Sequence, residues 1–162
     1  ARTDQLRIIP EFAGMAYKTP VSVLVVIYTP DLQVLLLERA DHPGYWQSVT
    51  GSCDAGETLY QTSVREVAEE TGLDAESFKF RDWKMHNVFE IYAEWRHRYG
   101  PGVTHNTEHV FGLCLPEPLP VILAPREHLN FVWLPWQEAA AKVFSWTNVA
   151  AIERLPDMAG KE

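Results

Sequence analysis

Apolar residues fall along this chain in two rhythms, and the changes between them outline its secondary structure. Val21–Tyr28 is β-branched and almost unbroken in apolar character, which predicts a strand buried on both faces. Thr29–Asp31 reads as a turn and Val34–Glu38 as a second strand. A loop at Asp41–Gly44 leads into a short extended piece at Trp46–Val49. From Leu59 to Thr71 the spacing becomes helical. Thr58, with Gln61 three residues on, forms a capping box, and Gly72 stands where a helix-terminating glycine belongs. Lys79–Trp95 is strand-like with mixed polarity, either two strands or one long bent one. Arg96–Asn106, containing Gly100, Pro101 and Gly102, reads as a loop, whereas His109–Leu115 and Leu129–Leu134 read as strands. Pro116–Pro125 is an irregular connection. Pro135, at a first helical position, opens a helix over Trp136–Phe144, and Asn148–Leu155 forms a closing helix. Strands interspersed with three helices predict an α/β domain whose mixed sheet is covered on both faces.

On a wheel of about 100° per residue, Leu59, Tyr60, Ser63, Val64 and Val67 share the face expected to pack on the sheet. Glu66 and Glu70 lie one turn apart at the edge of that face, with Glu69 farther round on the same side. Like charges at this spacing destabilise a helix by roughly 0.2–0.5 kcal/mol per pair, so three clustered acids call for a neutralising partner. A hard divalent cation, Mg²⁺ above all, prefers carboxylate oxygens and keeps waters for chemistry. Arg65 stands one turn before Glu69 and can pair with it, and Glu57 is placed to fix the loop before the helix. Gly51 and Gly56 let that loop approach a cation and phosphates closely. Three acids alone would fit an exposed charged helix better than a metal site.

Composition narrows the classes. The 162 residues are 46% hydrophobic, enough for one sizeable core. A formal charge of −8, from 22 acidic and 14 basic residues, argues against a broad nucleic-acid or membrane surface. There is no apolar run of the roughly 18 residues that a membrane helix needs. Cys53 and Cys114 show neither CxxC nor zinc spacing, which fits a reducing cytoplasm. Residues 1–14 lack the apolar stretch of a signal peptide. Met15 reads as a plausible natural start, which makes them an expected leader ahead of a single domain over 15–162. No protein partner is legible.

The strongest signal is the spacing of Gly51, Glu57, Arg65, Glu66, Val67, Glu69, Glu70, Gly72 and Leu73. With seven positions of fixed type and two aliphatic, a random chain of this length would hold such a match with probability on the order of 10⁻⁸. On these residues the chain resembles the Nudix hydrolase superfamily. That resemblance implies a Nudix fold, a mixed β-sheet sandwiched between helices (α/β/α), and Mg²⁺-dependent hydrolysis of a small-molecule phosphate anhydride, with Mn²⁺ able to substitute. Lys18–Ser22, Trp46–Ser52, Arg96–Thr104, Asn106–Glu108, Glu127–Leu129 and Ser145–Trp146 extend the likeness to bacterial members that cleave dihydroneopterin triphosphate to the monophosphate and pyrophosphate. Carried over by position, Glu66, Glu70 and Glu127 would be metal ligands. Arg65 and Glu69 would complete the catalytic set, with Glu69 or Glu127 taking a proton. Lys18, Arg39, Thr50, Phe89, Glu90, Ile91, Tyr92 and Ser145 would touch substrate. Read singly, Lys18 fits a solvated strand-entry lysine, Arg39 a surface pair, Phe89 core, Ser145 a helix cap and Glu127 an exposed loop acid. The same spacing also serves hydrolases of canonical or oxidised nucleoside triphosphates. A non-catalytic ligand sensor on this fold typically lacks some of the acids that are all present here.

Overall fold

The apolar run expected to be buried on both faces is the axis of the molecule. In the computed structural model, which describes residues 17–161, strand β1 (Val21–Tyr28) runs through the middle of one mixed sheet. The expected leader at residues 1–14 lies outside the described residues. Leu24, Val26 and Tyr28 pack to one side of the sheet against Ala151, Ile152 and Leu155. Val23, Val25 and Ile27 pack to the other against Val67. Each side chain so enclosed is worth about 1.5–3 kcal/mol relative to exposure, which explains why an uninterrupted apolar strand takes the central place.

Around β1 stand β2 (Gln33–Arg39), β3 (Trp46–Gln47), β4 (Val49–Ser52), β5 (Lys79–Glu90), β6 (His105–Cys114) and β7 (His128–Pro135). The order is β3-β2-β1-β6-β5, with β4 added to β1 and β7 to β2. The β1–β6 pair is parallel and the other described pairs are antiparallel. Helix α1 (Leu59–Thr71) covers one face, and α3 (Trp146–Glu153) and α4 (Leu155–Ala159) the other, with α2 (Trp136–Lys142) beside them. The expected mixed sheet between helices is what forms.

Several local expectations shift. Tyr60 does not join the buried face of α1: it is 44% exposed. Its ring lies 5.3 Å from Phe80 and its hydroxyl donates to Glu76 at 3.0 Å. A phenol keeps its hydroxyl satisfied more easily at the surface than over a sheet. Lys79–Trp95 resolves into one long bent strand and the start of a 3-10 turn over Ala93–Arg98. The bend is a bulge between Asp82 and Met85, where Lys84 takes φ 56° and its N–H donates to Asp82 at 2.8 Å. β6 begins at His105, inside the expected loop, because Asn106 and Glu108 continue its alternation as buried residues. Pro135 sits just outside α2 as its cap residue rather than inside its first turn. The closing helix is two pieces: Ser145 caps α3, and Pro156 falls in the first turn of α4.

Candidate active site

The acidic helix begins where its cap residues place it. Thr58 Oγ1 accepts from Gln61 N–H at 3.0 Å, and Gln61 Oε1 accepts from Thr58 N–H at 2.9 Å. Gly72, with φ 75°, closes the other end in the left-handed conformation that costs a glycine little. Between these ends Arg65 ties the helix to the preceding loop. Its Nε and Nη2 donate to the two oxygens of Glu57 at 2.7 and 2.8 Å, and Nη2 also donates to the Ser52 carbonyl at 3.1 Å. Nη1 reaches Glu66 at 2.8 Å and Glu69 at 3.3 Å. Arg65 holds the Glu57 carboxyl down to about 2. Glu57 also accepts from Asp54 N–H and Thr62 Oγ1, both at 2.9 Å, so it fixes the loop and has no oxygen to spare.

The next two acids are treated differently. Glu70 is 3% exposed, and its Oε1 has no hydrogen-bond partner. His128 Nε2 lies 3.5 Å from that oxygen, but this is not an ion pair. Burial first, then Arg39, pushes the imidazole down to about 4, so His128 is neutral at pH 7. Burial, then the charges of Glu66 and Glu127, raises the Glu70 carboxyl well above its ordinary range. Glu66 is raised as well, by burial and then by a hydrogen bond with Glu69, against the pull of Arg65. Its carboxylate occupies the space a Cβ would take at Gly51, so only glycine fits beneath it.

A buried Glu70 with an unpaired oxygen, crowded by a Glu66 that Arg65 only partly compensates, is a fit for a divalent ion. Glu127, exposed on the loop before β7, adds a third charge close enough to raise both. No three His, Cys, Asp or Glu side chains form a ready-made cage among the described residues. A site of this kind does not require one, because Mg²⁺ usually takes one or two carboxylates and completes its shell with water and phosphate.

Opposite the acids stands a basic rim. Lys18, fixed by its N–H to the Arg98 carbonyl at 2.7 Å, is an exposed residue beside Arg98 and Arg39, and desolvation at the cavity followed by those two cations lowers its pKa. Arg39 is braced by Asp41 through two bonds of 2.7 Å, by Gln47 at 3.0 Å, and by the Trp95 ring 4.6 Å beneath its guanidinium. It is a held group rather than a loose surface pair. Tyr92 stacks on Trp95 at 5.3 Å, and Phe144 closes the corner edge-on to both.

One cavity of about 870 Å³ joins these parts. It gathers Lys18, Arg39, Thr50, Phe89, Glu90, Ile91, Tyr92, Ser145, Arg65, Glu66, Glu70 and Glu127 along its wall. Glu69 is not on that wall: it stands outside on the exposed side of α1. Glu90 is itself exposed and paired with Arg96, and Ile91 is 2% exposed. Ser145 lines the cavity and also caps α3, accepting from Asn148 N–H at 3.4 Å. Sequence reading missed Trp95, Tyr99, Asn106, Glu108, Thr147 and His128 as members of the wall. Glu108 sits in phase with the buried Asn106 and Val110 on β6, an alternation that becomes visible only once the strand is in place.

Residues 18–155 match the NUDIX domain. A dihydroneopterin triphosphate diphosphatase of Escherichia coli is 49% identical over 142 residues, covering 86% of this chain and 93% of its own. One from Haemophilus influenzae is 42% identical over 148 residues, covering 88% and 91%. The solved structure of the Escherichia coli dihydroneopterin triphosphate pyrophosphohydrolase is similar with a TM-score of 0.81 at 48% identity, covering 86% of this chain and 96% of that one.

Proposed function

The chain belongs to the NUDIX domain family, and from that premise we propose that it hydrolyses dihydroneopterin triphosphate to dihydroneopterin monophosphate and pyrophosphate. The observation that carries the reading is the crowded pair Glu66 and Glu70, the second buried with an oxygen left unpaired, lining one cavity together with Lys18 and Arg39. Likeness to diphosphatases of that name over most of both chains supports the pterin substrate.

Glu66, Glu70 and Glu127 would hold Mg²⁺, or Mn²⁺ in its place. When bound, the cation screens the anhydride oxygens and makes an attached water more acidic. The remaining work falls to the chain itself. Arg65 keeps Glu66 on the loop it shares with Glu57 and Ser52. Lys18 and Arg39 offer positive charge to the phosphates, Arg39 with a planar fork suited to two oxygens. Tyr92 and Trp95 provide a stacked aromatic wall beside the head group. Glu127, on the cavity wall, is the carboxylate available to take the proton of the attacking water, whereas Glu69, the other expected acceptor, stands outside the cavity. Among the described residues no helix is long and apolar enough to cross a membrane. We place the activity in the cytoplasm, on a small-molecule substrate and without nucleic acid.

The deciding experiment compares kcat/KM for dihydroneopterin triphosphate, dATP, dGTP and the oxidised nucleotides, each with Mg²⁺, Mn²⁺ or chelator. The pterin is expected to lead and chelation to abolish turnover. A nucleotide in first place would move the chain among the nucleotide-pool hydrolases, and full activity in chelator would remove the metal mechanism.

A further inference from the structure

Beyond the phosphate machinery the cavity contains a second buried acid that the chemistry does not use. Glu108 lies on β6, opposite Ser22 on β1 and Asn87 on β5, and is 5% exposed. Burial lifts its carboxyl to about 7, against a hydrogen bond from the Thr147 hydroxyl. Glu108 Oε1 has no partner. Neither has Oδ1 of Asn106, two residues earlier in the same strand phase, whose amide nitrogen donates to Ser22 Oγ at 2.7 Å. Asn87 Nδ2, opposite Glu108, is a buried donor without a partner, but Asn87 does not line the cavity, whereas the two unpartnered acceptors belong to residues that do. A buried acceptor without a donor costs about 1–3 kcal/mol, more when charged, so this inner wall calls for a ligand edge rich in N–H groups.

We propose that Glu108, with Asn106 beside it, reads the lactam–amidine edge of a 2-amino-4-oxo heterocycle, its carboxylate accepting from the ring N–H and the exocyclic amino group. This rests on the proposed reading of the cavity as a site for a heterocyclic triphosphate. Pterins and guanine both carry that donor pair and would both be admitted. Adenine presents a ring acceptor at the corresponding edge and would meet the ionised Glu108 carboxylate with a repulsive contact. Hypoxanthine keeps the ring N–H and lacks the amino group, so it leaves part of the acceptor set unpaired.

The test uses GTP and ITP, which differ only in that amino group, alongside dihydroneopterin triphosphate, on the intact chain. The wild type is expected to favour GTP over ITP by roughly 10- to 100-fold in kcat/KM. In Glu108→Gln, a near-isosteric change, kcat/KM for the two 2-amino substrates is expected to fall by a similar factor, mainly through KM. The GTP-to-ITP ratio should collapse toward one. Thermal unfolding of the variant separates this from damage: a purely structural Glu108 would lower Tm and leave the ratio as it was, which overturns the proposal. Should the variant not fold, binding of guanosine against inosine to the wild type by calorimetry decides. Equal affinities, or equal wild-type rates with GTP and ITP, overturn it. A purine outrunning the pterin would defeat the proposed substrate and leave this ratio to be judged independently.

Discussion

The two ends of the cavity are built by opposite means. At the anhydride end, loop and helix come from the single stretch Gly51–Leu73, and Arg65 binds the parts together through Glu57, Glu66 and the Ser52 carbonyl. At the head-group end, Ser22, Asn106, Glu108 and Thr147 come from β1, β6 and α3 and meet only because β1 and β6 pair in parallel. Both ends bury acids. The first crowds Glu66 against Glu70, an arrangement that favours a cation; the second leaves acceptors facing a void that favours N–H donors. Burial alone therefore does not identify a carboxylate's task. Its neighbours do.

The largest effects should come from the anhydride end. Glu66→Gln and Glu70→Gln are each expected to lower kcat by roughly 10³-fold, on the scale of losing a main electrostatic contact at the reacting group. In the same variants, thermal unfolding should lose most of its response to added Mg²⁺. Near-normal turnover in either would break the contrast, since that end would then be no different from the other. Gly51→Ala places a methyl where the Glu66 carboxylate rests. An expected loss of about 100-fold in kcat, with circular dichroism unchanged, fits the cost of displacing a positioned group. Wild-type kinetics there would mean that Glu66 works from another position.

Smaller effects sharpen the other half. Trp95→Ala removes the ring under Arg39, a contact worth about 0.5–1 kcal/mol, so KM should rise roughly two- to fivefold with kcat nearly kept. A larger fall in kcat than rise in KM would assign Trp95 to the chemistry. Finally, pH separates Glu108 from Glu57 without any substrate. Burial raises Glu108 from 4.5 to about 7, so between those values the folded chain holds a proton the unfolded chain has released. Through this group stability falls as pH rises across that window. Glu57 has the reverse sign: held at about 2, it contributes stability above 4.5 that disappears as pH falls toward 2. Glu108→Gln should reduce the neutral slope of Tm, the remainder coming from the raised Glu66 and Glu70, and spare the acid one. Loss of both slopes would show that the ends are not independent.

How much of this was legible beforehand follows the same division. The capping box, the glycine stop and the spacing of Arg65, Glu66, Glu69 and Glu70 are relations within a few turns of one helix, and the structure realises the capping box and the Arg65–Glu69 pair as read. Tyr60 was misplaced because a wheel assigns a direction and cannot say where the sheet beneath it ends. The start of β6 was misplaced because Asn106 and Glu108 look like solvent-facing residues until a cavity exists to bury them. Trp95 is not legible because it lies in a 3-10 turn, while its contact comes from Arg39 on the distant strand β2.

Local spacing thus determined the family-defining helix, its loop and the clustering of its acids, because backbone geometry alone fixes which side chains share a turn. Tertiary structure decided which acid is isolated from water, which arginine is braced, and which acceptors are left unpaired inside. Those properties depend on desolvation by residues far away in the chain. Glu108 becomes a candidate reader of its ligand only when Ser22 and Thr147 close around it.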